Sequence, residues 1–451
     1  MVKRIFFIIL TFCLCFSLVF SGFSVSAYEV TGFEITANAG MLISLDTEEI
    51  LYSKNIDKKV YPASIAKIMS AILVLESDKF VPEQKIAMTE EIDSYVTGTG
   101  LSVSNIKVGE EITHLDLIYT VLMSSFADCT YLAAIYVGGS VESFVDMMNA
   151  KAQELGLTGT HYSNPVGLHE EETYTTVKDI YVLTKYALKN ETFKKVCSSK
   201  RYEIAPTNMS DKRILSTTNF LLDNTTNYYY PYATGVKTGF TDEAGRCLVS
   251  TASYNGYNYM CILMGCPDSS QNKYHFSESA NLYRWAFNSF EFKEIATSTE
   301  PVCEMPLELS METDFVSLYF EKPFVSVLPK EADESTIVIK THLKAESVQA
   351  PVKKGDVLGE AEVIFAENVI GKVNLVAGED IEANGLLKVL DGVKKVLSSI
   401  YMKILYVALV LAVIIFILAC IKMNLSRGKK RKVKYVPYNA KERENKHKRD
   451  E

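Results

Sequence analysis

The sequence predicts an α+β fold for its first two thirds, then a small all-β segment and a C-terminal membrane helix. Three observations carry this reading. Apolar runs with helical spacing alternate with strand-like runs as far as Phe292. Beyond it the texture changes to short alternating runs such as "FVSLYFEKPFVSVLP" and "STIVIKTHL", separated by turn residues. Finally, Ile404 to Ile421 is 18 residues without a charge, bounded by Lys403 and Lys422, which is long enough to span a bilayer when the flanking lysines snorkel.

Each element follows from its pattern. "AGMLISLDTEEILYSK" reads as a hairpin: apolar strand, acidic turn, second strand. "PASIAK", residues 62 to 67, opens an apolar run through Leu75 that predicts a buried helix. "LDLIYTVLMSSFADCTYLAAIYVGG" is helical in spacing and ends at Gly138-Gly139. "GVKTGFTDEAGRCLVSTASYNGYNYMCILMG" predicts two or three strands with Asn255-Gly256 as a hairpin turn, and "SESANLYRWAFNSF" a covering helix. The expected organisation is a signal peptide over 1–27, an α+β domain over 28–292, an all-β domain over 296–385, an amphipathic linker helix over 386–403, a transmembrane helix over 404–421 and a basic tail over 422–451.

Charge and termini bound the location. Lys3 and Arg4 precede an apolar stretch from Ile5 to Phe20, and Val25-Ser26-Ala27 fits a signal-peptidase site, so export with a mature start near Tyr28 is expected; an uncleaved anchor is the alternative. The tail holds 12 Lys/Arg against 4 Asp/Glu, which marks the cytoplasmic side of a single span and places the bulk of the chain outside the membrane. Removing the tail's +8 and the leader's +2 from the total of −8 leaves −18 for residues 28–421. An ectodomain so acidic argues against nucleic acid as a partner. Six cysteines (Cys129, Cys197, Cys247, Cys261, Cys266, Cys303) form no CxxC and read mostly as core thiols, although pairing outside the cell stays open. Six scattered histidines without HExxH predict no metal site, and no cofactor is expected.

The chemistry centres on Ser64 and Lys67. Ser-x-x-Lys recurs along the chain, Ser64–Lys67, Ser104–Lys107 and Ser270–Lys273 among the occurrences, and about two are expected by chance. Only Ser64 opens a buried helix, where positions i and i+3 share a face and apolar surroundings let the lysine accept a proton. A snorkelling lysine on a core helix is the plain alternative. The second element is Lys237-Thr238-Gly239 on an edge-like strand. Alternation puts Lys237 and Gly239 on one face and Thr238 on the other; the lysine can hold a substrate carboxylate, and the glycine lets a substrate approach the strand. An ordinary exposed strand ending in a turn is the alternative there.

In this order the two motifs match active-site serine acyl-transferases. "ANAGMLISLDTEEILYSKNIDKKVYPASIAKIMSA", "YSNPVGLH", "GVKTGFTDEAGRCLV" and "APVKKGDVLGEAEVIFAENVIGKVNLVA" resemble the D-alanyl-D-alanine carboxypeptidases, the low-molecular-mass penicillin-binding proteins. The resemblance implies a transpeptidase/β-lactamase-like domain, an antiparallel sheet flanked by helices, then a β-sandwich-like domain. It implies the D-Ala-D-Ala end of the peptidoglycan stem peptide as substrate and β-lactams as covalent inhibitors. Protein partners are not indicated. Ser64 would be the nucleophile and Lys67 its base, with Ser125 beside them; Lys237 and Thr238 would bind the terminal carboxylate. The backbone N–H groups of Ser64 and Phe240, which follows Gly239, would form the oxyanion hole.

One motif departs. The family carries Ser-x-Asn, and the aligned stretch "MSSFADCT" keeps Ser125 and Asp128 but has Ala127 in place of the asparagine. Intact triplets such as Ser253-Tyr254-Asn255 and Ser279-Ala280-Asn281 follow Lys237, in the wrong chain order. By the resemblance, that asparagine would hold the substrate backbone and help orient Lys67; losing one such group costs about 10²–10³ in rate. Phe126 is expected where ligand would pass. A membrane-anchored carboxypeptidase, a non-catalytic peptidoglycan-binding homologue and a β-lactamase are the three readings; no second carboxylate motif for fast deacylation supports the last.

Overall fold

The computed structural model describes residues 32–428, so the expected signal segment and most of the basic tail lie outside the described residues. The chain divides into two compact units. One holds the residues up to Pro301 with Tyr319–Lys344 and Leu358–Leu375; the other holds Val302–Leu318, Ala345–Val357 and the chain from Val376 onward.

In the first unit a five-stranded antiparallel sheet is built from β1 (Ala39–Ser44), β2 (Ile50–Lys54), β3 (Ala233–Thr241), β4 (Gly245–Tyr254) and β5 (Tyr257–Cys266) in the order β2-β1-β5-β4-β3. The first hairpin and the Asn255-Gly256 turn form where their patterns predict, and β3 is an edge strand. Because side chains alternate across a strand, the sheet buries both faces. Met41, Ile43, Val249 and Ile262 meet a helical layer that includes α1 (Lys67–Glu76), α2 (His114–Leu122) and α3 (Ala127–Gly138). Leu42, Leu248 and Leu263 meet α4 (Tyr274–Ser289) through Phe276, Ala280 and Tyr283. Cys129, Cys197, Cys247, Cys261 and Cys266 are buried and free, in keeping with core thiols.

The run from Leu115 to Gly139 is not one helix. α2 stops at Leu122, α3 starts at Ala127, and Ser125 between them is left-handed at φ 63°. Hydrophobic periodicity continues across the break, so only the backbone reveals it. α2 begins with a capping box between Thr113 and Asp116, and α3 ends on left-handed Gly139.

From Pro301 to Ala377 the regular elements are strands apart from one short 3-10 turn, as the alternating texture predicts. In the first unit Phe290–Ala296 pairs antiparallel with Phe324–Pro329. In the second, Leu307 and Glu308 pair parallel with Val348 and Gln349. That unit also contains α5 (Gly385–Ser398) and α6 (Ile400–Gly428). The expected linker helix over 386–403 therefore ends earlier, because Ser399 is extended, and the apolar helix already begins at Ile400. α6 is long and apolar enough to cross a membrane.

Candidate active site

The site begins with a tight turn. Ala63 to Ala66 form a 3-10 turn leading into α1, so Ser64 sits one turn ahead of Lys67 at a buried helix start. Ala63 is left-handed at φ 46°, a conformation that costs about 1–2 kcal/mol and must be imposed by surroundings. The loop "YSNPVGLH" imposes it. Asn164 Oδ1 accepts N–H bonds from Gly167 and Leu168 at 2.8 and 2.9 Å, and Ser70 Oγ donates to Pro165 O at 2.6 Å. Gly167, at φ 78°, lies so close that a Cβ there would fall 1.8 Å from Ala63 O. No side chain fits.

Lys67 is 1% exposed. Its Nζ lies 3.2 Å from Ser64 Oγ, 2.7 Å from Ser125 O and 3.3 Å from Ser125 Oγ. The left-handed backbone of Ser125 turns both of its oxygens toward the amine. Burial lowers the Lys67 pKa to about 7, against a smaller opposing pull from Asp128. The amine is thus available as a base near neutral pH. Burial and then Lys67 itself push Lys237 well below the usual lysine range.

Strand β3 comes up against the serine. A Cβ on Gly239 would lie 3.2 Å from Ser64 N and 3.3 Å from Ala63 Cβ, so glycine permits the approach. Thr238, Gly239 and Phe240 line a cavity of about 440 Å³ together with Ser64, Lys67 and Ser125. Lys237 is not in its lining; it is 1% exposed and its Nζ donates to Thr238 O at 2.9 Å. Alternation puts Lys237 on the face of Gly239; Gly239 lines the cavity, while the Lys237 side chain is buried. Phe126 likewise does not line the cavity; its ring packs against the core, which corrects the expectation that it stands in the ligand's way.

Several cavity residues escaped the sequence reading. Thr218 Oγ1 lies 2.6 Å from Thr238 Oγ1, and its N–H donates to Met123 O, bracing β3 against the break before α3. The Arg246 guanidinium lies 4.0 Å from the Phe240 ring centroid and its Nε donates to Asp268 at 2.7 Å. Lys273 and His275 also line the cavity, and burial keeps the His275 imidazole neutral with a pKa of about 3. Lys273 had surfaced only as the end of a chance Ser-x-x-Lys. The lining contains Arg246 and Lys273 and no Asp or Glu, so a chain of net negative charge presents a cleft suited to an anionic group.

The comparisons with known proteins agree with this geometry. A family model described as D-alanyl-D-alanine carboxypeptidase matches residues 24–268, and one described as penicillin-binding protein 5, C-terminal domain, matches residues 308–383. The chain is 29% identical over 354 residues to D-alanyl-D-alanine carboxypeptidase DacF of Bacillus subtilis, covering 78% of this chain and 87% of the relative. It is 29% identical to DacC of Escherichia coli K12, covering 78% and 86%. Among solved structures, penicillin binding protein 5 from Haemophilus influenzae aligns at 26% identity and TM-score 0.63, covering 78% of this chain and all of that one. The Streptomyces K15 DD-transpeptidase aligns at 28% identity and TM-score 0.53, covering 57% of this chain and all of that one. The chain belongs to the D-alanyl-D-alanine carboxypeptidase family, with the penicillin-binding-protein fold and its C-terminal β domain.

Proposed function

We propose that this chain is a membrane-anchored serine carboxypeptidase that removes the terminal D-alanine from peptidoglycan stem peptides. The observation that carries the proposal is the buried Lys67 amine, 3.2 Å from Ser64 Oγ, with its pKa lowered to about 7. Ser64 Oγ attacks the carbonyl of the penultimate D-alanine while the neutral amine of Lys67 takes the hydroxyl proton. The N–H groups of Ser64 and Phe240 hold the oxyanion, Ser125 stays beside the amine, and Thr238 receives the terminal carboxylate in the field of Lys237. The peptide bond then breaks, D-alanine leaves with the proton, and water hydrolyses the ester on Ser64. β-Lactams acylate the same oxygen.

Residues 28–292 form the catalytic domain, residues 296–385 the β-sandwich-like domain, and 404–421 the membrane-crossing core of α6. The basic charge of 422–451 supports a cytoplasmic tail and a catalytic domain outside the bacterial membrane. A second reading has one observation in its favour: Ala127 offers no side-chain hydrogen bond, as in a homologue that binds peptidoglycan without turnover. Fluorescent penicillin applied to the full-length protein in detergent, beside a Ser64→Ala protein, tests both. Labelling lost in the variant, with D-alanine released from a stem pentapeptide by the parent, supports the enzyme. Absence of labelling and of release in the parent overturns it.

A further inference from the structure

The loop ahead of α2 brings a further polar group to the cleft that holds Ser125. Gly100, Leu101 and Ser102 line the same cavity as Ser64, Lys67 and Ser125. Ser102 lies directly against the start of α3, because its carbonyl accepts the Ala127 N–H at 2.8 Å. Two residues on, the loop is clamped. Asp128, 6% exposed, accepts the Ser104 N–H at 3.0 and 2.9 Å and the Ser104 hydroxyl at 2.5 Å. On the other side Leu101 packs against the core, and Gly98 and Gly100 turn the chain through left-handed φ of 77° and 71°. Ser102 is exposed, and among the described residues its hydroxyl has no partner within the protein. Ser125, by contrast, already faces the Lys67 amine.

We propose that Ser102 is a substrate-binding residue whose hydroxyl hydrogen-bonds the backbone of the stem peptide. The hydroxyl is held on a loop fixed at both ends, so little conformational entropy is lost when substrate arrives. The assignment rests on the acyl-transfer reading above. A side chain that touches substrate in both ground and transition states raises kcat/KM chiefly through KM.

The test uses the full-length protein in detergent, with the second-order rate of penicillin acylation and pentapeptide kinetics as readouts. Ser102→Ala is expected to lower the acylation rate by about tenfold, the worth of one neutral hydrogen bond, and to raise KM more than it lowers kcat. Ser102→Thr keeps the hydroxyl and stays within about threefold of the parent. Parent-like acylation by Ser102→Ala overturns the inference and leaves the enzyme reading intact. A loss that the threonine does not correct assigns Ser102 a structural role and overturns it too. A parent protein that never acylates removes both together.

Discussion

Two helices of this chain are about equally apolar and live in opposite surroundings. In α1, every residue from Lys67 to Val74 is buried in the core. In α6, none of the segment Ile400–Leu425 is buried within the protein, and Phe416 is 69% exposed. α1 has 10 residues, about 15 Å at 1.5 Å per residue, too short to cross a bilayer. The 26 residues of the α6 segment reach about 39 Å, which exceeds a hydrocarbon core of roughly 30 Å. Apolar sequence therefore does two jobs. Packed inside, it makes a dry environment that lowers the Lys67 pKa to about 7; left outside, it forms a helix long and apolar enough to cross a membrane.

Breaking the comparison at its exposed end has the largest expected effect. Ending the chain at Ser399 moves the protein almost completely from the membrane fraction to the supernatant, read by carbonate extraction, while the penicillin acylation rate stays within about twofold. Retention in the pellet sinks the anchor.

At the buried end, Lys67→Arg keeps a cation beside Ser64 but cannot give up its proton. Acylation is expected to fall by about 10²–10⁴, the usual worth of a general base. A near-normal rate would show that charge, not proton transfer, is what Lys67 supplies.

A pair of truncations sharpens the contrast. Ile72 is 1% exposed in α1, and Ile72→Ala leaves a cavity that costs about 2–4 kcal/mol in folding stability. Leu411 is 53% exposed in α6, and Leu411→Ala changes that stability by less than about 0.5 kcal/mol. Denaturant midpoints of the two proteins in detergent decide it.

The smallest effect is in pH. The Lys67 pKa is lowered to about 7, so the neutral base predominates above that pH. Acylation is expected to drop about tenfold for each pH unit below 7 and to level off above it. A flat profile from pH 5.5 to 8.5 contradicts a burial-tuned lysine.

Some of the site was legible because it is local. Ser64 and Lys67 share a face through helix geometry, the Lys-Thr-Gly strand is written in alternation, and the Asn255-Gly256 hairpin between β4 and β5 is written in turn chemistry. The break at Ser125 was invisible because apolar spacing runs through it, and its left-handed backbone leaves no mark in composition. The residues that brace or line the cleft from far away (Thr218, Arg246, Lys273, Ser102) were missed for a different reason. Each is an ordinary polar residue until the chain brings it within reach of Ser64. One faint signal existed, the paired glycines of "TGTGLS", which mark a tight loop.

By itself the sequence determined the α+β class, the all-β region, the apolar C-terminal helix and the pairing of Ser64 with Lys67. These depend on periodicity and short spacings, which are properties of neighbouring residues. Only the tertiary structure decided that Lys67 is dry enough to act as a base, that Lys237 lies beneath the cleft rather than in it, and that Phe126 stands clear of it. Burial and solvation belong to atoms brought together from distant parts of the chain, and no local pattern carries them.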